Sequence, residues 1–391
     1  MNSRFNGLGK FAIVMLVAGA ILMILSFIAD SQRAYYNYLL MYVNIVSLGV
    51  GSLAIVAMDF MTDAIWSTPF RRVAEFFSSV IPLLLVLAIP LIFGIHSLFE
   101  WSHNDVVSQD SILQGKSPYL NPTFFIIRLF LCVLLWMLFY YLITGTSQKQ
   151  DKTKEFNLLK KNIRNSVIFA PVLFITLSIA AIDLIMSLMP HWYSTIFGIY
   201  YFAGSAVAAL ALWSFSSVKL KEGNQLHPNV MPRHFHSMGT LFFAMIIFWA
   251  YIGFSQYLLI WYADIPEETI WLQVRMHNGW QYISIGLIFV HFLIPFLILL
   301  PGAAKTNFKI LKIMGIWLLI AHYIDLYWLV MPNLFRQFTF SWNEFGFILF
   351  TIGLMAMAFK YKADRVNLTP IEDPKIGHGL AIKLYPDISI D

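Results

Sequence analysis

The chain has 391 residues, of which 59% are hydrophobic, 17% aromatic and only 12% charged. A soluble domain carries about twice that share of charge, so the composition excludes an ordinary water-soluble fold and indicates a chain that crosses a membrane several times. The net charge of +5 does not indicate a nucleic-acid partner, because the basic residues lie in connections between apolar runs. Cys132 is the one cysteine and sits within an apolar run. An internal disulfide, a C-x-x-C-H haem attachment and a four-cysteine iron–sulfur site are therefore excluded.

Ten apolar segments follow in chain order, each near the ~20 residues that a bilayer core requires. They cover about 9–29, 38–61, 73–95, 122–144, 165–188, 193–217, 236–262, 275–300, 310–331 and 342–360. The first is long for a signal sequence and lacks a small-x-small cleavage site, so it reads as an uncleaved span. Of the 26 Lys and Arg, only Arg33, Lys116, Arg128, Arg275 and Arg336 belong to one side. By the positive-inside rule the other, crowded side is cytoplasmic, and both termini lie there. On the outer side are a long polar and aromatic connection at 96–121, an acidic one at 263–272 and a tight link at 189–192. Residues 361–391 read as a cytoplasmic tail behind a membrane domain of residues 1–360.

Two spans carry the same unusual pattern. Ile182-Asp183-Leu184 precedes Met189-Pro190, and Ile324-Asp325-Leu326 precedes Met331-Pro332, so both read I-D-L-x4-M-P. Spans five and nine run in the same direction. A repeat four spans apart predicts two four-helix bundles, about 38–188 and 193–331, related by an axis along the membrane normal. The fold class expected is thus all-α and integral to the membrane: ten transmembrane helices, two parallel-repeat bundles and two peripheral helices. Each Asp lies seven residues before its Pro, which places the carboxylate ~10 Å below the outer helix end.

A carboxylate within a span is costly and marks a functional hypothesis by default. His322 stands three residues before Asp325, on the same helix face; such a pair can pass a proton or bind a quinol hydroxyl, or can simply hold two helices together. His277, Gln281, Ser284, Ile288 and His291 form one stripe along span eight, with the two histidines ~21 Å apart. That is the spacing of stacked haem ligands, but no other span offers a matching pair, and a polar track for protons or water is the alternative. Arg128, early in span four, is the candidate counter-ion of Asp183 or Asp325; snorkelling to the outer interface is its other reading. His96, Glu100, His103, Gln256, Tyr257 and Glu344 also gather toward the outer side. On the inner side Asp59 and Glu75, with Asp63, Arg71 and Arg72, could form the mouth of a proton half-channel or an interfacial set of ion pairs. His234 and His236 have no Cys or carboxylate nearby in sequence, so no metal site is expected from spacing.

The run Ser187-Leu-Met-Pro-His-Trp-Tyr-Ser-Thr-Ile-Phe-Gly-Ile-Tyr-Tyr-Phe-Ala-Gly204 resembles a signature of the NrfD-like, polysulfide-reductase-type membrane subunits of alternative complex III. So do Pro69-Phe-Arg-Arg72, His96–His103 with Lys116-Ser-Pro-Tyr-Leu-Asn121, and Phe254-Ser-Gln-Tyr-Leu-Leu-Ile-Trp-Tyr262 before Pro266-Glu-Glu. The resemblance covers essentially all ten spans, and the chain looks like the second, shorter of the two large membrane subunits. It implies a respiratory quinol:cytochrome c oxidoreductase in the bacterial inner membrane, with an iron–sulfur subunit, c-type haem subunits and a sister NrfD-like subunit as partners. It implies no covalently bound cofactor, haem or iron–sulfur centre in this chain, and leaves open a menaquinol or quinol contact. Proton conduction carries over to Asp183, His322 and Asp325, and more weakly to His277 and His291. Reading the residues by themselves leaves two further classes open, a purely structural anchor and a stand-alone secondary transporter.

Overall fold

The computed structural model describes residues 5–153 and 155–381. Arg4, Lys154 and Lys383, counted in the charge bias above, and the end of the tail from residue 382 lie outside the described residues. No strand occurs among the described residues, and ten helices are long and apolar enough to cross a membrane. They are α1 Asn6–Ala29, α2 Ser31–Met61, α3 Thr68–Phe93, α4 Pro122–Thr153, α5 Asn157–Leu188, α6 Phe197–Glu222, α7 Pro232–Ala263, α8 Trp280–Leu299, α9 Phe308–Asn333 and α10 Asn343–Ala363. The chain is an all-α multi-pass membrane protein.

Sequence signals account for where these helices start. Asp30 caps α2 by accepting from the Arg33 N–H at 3.0 Å, Asn121 caps α4 through Phe124 N–H at 2.9 Å, and Asn307 caps α9 through Lys309 and Ile310. Such caps satisfy backbone donors that have no partner within the helix. The observed helices outrun the apolar windows where polar residues continue the helix, as α4 does to Thr153 and α6 to Glu222. α3 is the exception to regularity. Pro82 and Pro90 remove ladder donors, and the span breaks into short α and 3-10 pieces.

The helix neighbours form two rings. α2 packs on α3 and α5, and α4 touches both α3 and α5; α6 packs on α7 and α9, and α8 touches both α7 and α9. Between the rings α2 lies against α6 and α9, and α5 lies against α6. That is the neighbour pattern a two-fold axis running along the helices generates. α1 and α10 pair with one another and lean on α2. The best-buried window of α2 is 94% buried and that of α1 only 17%, so α2 is the central post and α1 a peripheral one. Close approach at the centre needs Gly51: a Cβ there would stand 2.8 Å from the Ser205 carbonyl oxygen of α6.

The two ends of the molecule differ. One, the loop end, carries the 94–121 connection with its three short α-helices, Ile95–Leu98, Asn104–Gln109 and Ser111–Lys116. The other, the tail end, carries residues 364–381, which are described and packed rather than loose. There Arg71 meets Asp59 at 2.9 Å, Glu75 at 3.1 Å and Asp373 at 2.9 Å. Arg72 meets Asp151 at 2.7 Å, His234 Nε2 contacts the Gly379 carbonyl at 2.8 Å, and Thr369 donates to the Pro69 carbonyl at 3.1 Å.

Candidate functional site

The two repeated aspartates are both buried, Asp183 at 3% exposure and Asp325 at 1%. Their surroundings differ in kind. Asp183 belongs to an ion pair. Arg128 of α4 donates Nε to Oδ2 at 2.7 Å and Nη2 to Oδ1 at 3.1 Å, a bidentate fork. A third donor of Arg128 goes to the Tyr119 carbonyl at 2.9 Å, and its guanidinium stacks on the Tyr119 and Phe124 rings at 3.8 and 4.3 Å. The counter-ion reading of Arg128 therefore holds, and snorkelling does not. The helix position of Asp183 also departs from expectation. Regular helix stops at Leu184, and a 3-10 turn, Met186–Leu188, completes α5. The carboxylate thus stands in the last regular turn, not two turns below it.

Among the described residues no cation pairs with Asp325. Its two oxygens accept from neutral donors, the Tyr200 hydroxyl of α6 at 2.5 Å and the Trp249 indole N–H of α7 at 3.2 Å. α9 runs regularly through it to Val330. Against it lie His322, one turn earlier on α9, and His291 of α8. One nitrogen of each imidazole and a carboxylate oxygen of Asp325 all fall within 4.8 Å of one another. Both histidines are buried, and none of their four ring nitrogens has a hydrogen-bond partner among the described residues. Trp249 stacks on His291 with centroids 3.8 Å apart. Gly204 of α6 closes the cluster, since a Cβ there would lie 3.2 Å from His322 Nδ1 and 3.6 Å from Asp325 Oδ2.

The stripe expected along span eight does not form. His277 is exposed and lies before α8, its Nδ1 against the Gln273 carbonyl at 2.8 Å. Asn278 and Gly279 take positive φ, 54° and 94°, and this turn ends the preceding short helix before α8 begins at Trp280. Ile288, expected on the same inward face, is 56% exposed. His291 is inward all the same, because Ile288–Leu293 is a π-helical segment that shifts the register of side chains beyond it. His277 and His291 therefore share no track.

At the tail end, Asp59 and Glu75 form part of the Arg71 network, and Ser67 also donates to Asp59. Ser147 donates to Glu75 at 2.8 Å. These ion pairs are pinned by Asp373 of the tail, and a cavity of about 370 Å³ borders Asp59, Ser67 and Arg71. At the loop end, Glu344 pairs with Arg33 at 2.6 Å, and His96 with His103 and Ser102 makes only local contacts. A cavity of about 390 Å³ opens at the end of α5, lined by Lys116, Tyr119, Ile182, Met186, Pro190 and Tyr193 among others. Burial pulls the Lys116 ammonium below the usual lysine range, and its Nζ donates to the Pro190 carbonyl at 2.5 Å.

Sequence reasoning passed over Tyr200, Trp249 and Arg275. Tyr200 and Gly204 are one turn apart within the quoted signature run, which is the one signal that could have joined them to Asp325. Arg275 had counted only as a loop charge. It is buried, pairs with no carboxylate among the described residues, and donates to the Trp271, Trp328 and Leu329 carbonyls at 3.0, 3.2 and 2.9 Å. Pro332 removes the N–H that would have met the Trp328 carbonyl in the helix ladder, and Arg275 supplies a donor in its place.

No protein-family model matches the chain, and no curated protein matches it.

Proposed function

We propose that this chain is a membrane subunit of a respiratory quinol:cytochrome c oxidoreductase of the alternative complex III type. In this reading it anchors an iron–sulfur subunit, c-type haem subunits and a sister membrane subunit in a bacterial inner membrane, and its second bundle holds a proton in transit. The resemblance of the quoted motifs supports the complex. The Lys and Arg bias supports placing the tail end and both termini in the cytoplasm. A menaquinol or quinol contact would fall at the loop end, where the 390 Å³ cavity lies.

The observation that carries the proton role is Asp325, a buried carboxylate that meets no cation among the described residues, beside two imidazoles whose nitrogens have no partner among them. A lone anion in that setting is expensive, so the cluster favours a bound proton shared among Asp325, His322 and His291. The fork from Arg128 supports reading Asp183 as a structural partner rather than a proton carrier. The test is Asp325→Asn in the purified complex, reconstituted in vesicles, with protons released per quinol as the readout. The reading expects a lower ratio for Asp325→Asn and an unchanged ratio for His277→Ala. An unchanged ratio in an intact Asp325→Asn complex removes the proton role.

A purely structural anchor is the second reading, favoured by the Arg128–Asp183 and Arg71 networks. It predicts that substitutions at Asp325 alter assembly only. Co-purification of haem absorbance with the chain separates both from a stand-alone transporter, which would be colourless.

A further inference from the structure

We propose that His291, His322 and Asp325 form a binding site for a divalent first-row transition metal ion, coordinated by two imidazole nitrogens and one carboxylate oxygen with a further position open. The inference starts from the geometry of the cluster and does not need the respiratory reading, although it concerns the same side chains.

The three side chains come from two helices and are 0%, 1% and 1% exposed. Their donor atoms already converge within 4.8 Å. A tetrahedral zinc ion with ~2.0–2.1 Å bonds spaces its donors roughly 3.3 Å apart, so binding draws them in by about 1.5 Å at most. Nitrogen and carboxylate donors together suit zinc, iron, nickel or copper rather than magnesium or calcium. Three protein donors and an open position is the arrangement of reactive rather than sealed zinc sites.

The surroundings orient these donors as an outer shell does. Asp325 is held by Tyr200 and Trp249, and the Trp249 ring lies flat on His291; such partners fix the direction of ligands. Gly204 leaves no side chain over His322 and Asp325. A metal also resolves two local deficits: it satisfies a nitrogen in each buried imidazole, and its charge meets the carboxylate that no Arg or Lys among the described residues reaches. A dipositive ion on one carboxylate retains one net positive charge, so the open position takes a hydroxide or another anion.

The full chain, purified in mild detergent and stripped with chelator, is titrated with Co²⁺, followed by its visible absorption, and then challenged with Zn²⁺. The expected result is one equivalent of Co²⁺ per chain with a low-symmetry band, displaced by Zn²⁺. His291→Ala and His322→Ala should abolish the band, Asp325→Asn should weaken binding by about tenfold or more, and exposed His277→Ala should leave it unchanged. X-ray absorption of the Zn²⁺-loaded wild-type chain keeps the test independent of variant folding; it should show two imidazole ligands. No saturable band, fewer than two imidazoles, or a stoichiometry indifferent to His291→Ala and His322→Ala overturns the site. The readouts involve no turnover, so a metal-free cluster would leave the proton reading standing, and a failed proton assay would leave the metal site standing.

Discussion

Arg128→Met isolates the difference between the two aspartates. Arg128 is 5% exposed and Asp183 3%, so water screens neither partner. Removing Arg128 takes away both charge-assisted bonds at 2.7 and 3.1 Å and leaves a carboxylate buried with no cation. Breaking one side of such a pair costs about 3–5 kcal/mol, whereas replacing both sides by apolar groups of similar volume is often neutral. Arg128→Met should therefore destabilise the chain by ~3–5 kcal/mol, and Arg128→Met with Asp183→Leu should recover most of that loss. The assay is reversible unfolding in mixed micelles of increasing SDS fraction, followed by tryptophan fluorescence. If the single and double variants unfold within ~0.5 kcal/mol of one another, the couple is not energetically real, and the claim that Asp183 is a structural partner goes with it.

Gly51→Ala places a Cβ 2.8 Å from the Ser205 carbonyl and 2.9 Å from the Ala209 Cβ; α2 and α6 must part, and the same unfolding assay should show a loss of about 1–3 kcal/mol. Asp373→Ala removes one of the three carboxylates on Arg71 but leaves Asp59 and Glu75. Limited proteolysis should then cut residues 364–381 faster, with the unfolding midpoint of the spans little changed. At the loop end, the His191 contact and the Leu113 and Ile112 N–H groups hold the Asp110 carboxyl below its ordinary 3.8. Protection that depends on its charge is complete above that value and is lost as the pH falls through the depressed one. Hydrogen exchange of residues 104–116 should accelerate only in that acid range, and acceleration already at pH 5–6 would refute the assignment.

The ten spans were legible because a bilayer demands long apolar runs, and those runs are written in composition. Their ends were less so. Helix α4 continues to Thr153 on polar residues that no hydropathy window credits, and α8 starts only after the Asn278–Gly279 turn. The I-D-L-x4-M-P repeat located both carboxylates, and the i, i+3 spacing located His322. Spacing alone could not bring His291 to them. Counting by 3.6 residues put His277 and His291 on one inward stripe, and a π-helical segment between Ile288 and Leu293 changes that count. Nor could it supply Tyr200 and Trp249, which come from two other helices and join the site only through packing.

The two motif copies show how neighbours, not the motif, assign a chemical role. Each presents an aspartate to the interior near the loop end of its bundle. In the first half the adjoining α4 contributes Arg128, the charge is met, and the helix is free to stop one residue later. In the second half the buried arginine, Arg275, is occupied elsewhere: it donates to the carbonyls that Pro332 helps leave exposed at the end of α9. The same proline that makes the motif recognisable thus diverts a cation toward backbone. Asp325 is left with a phenol, an indole and two bare imidazoles, the one set among these side chains in which a proton or a metal ion completes the charge.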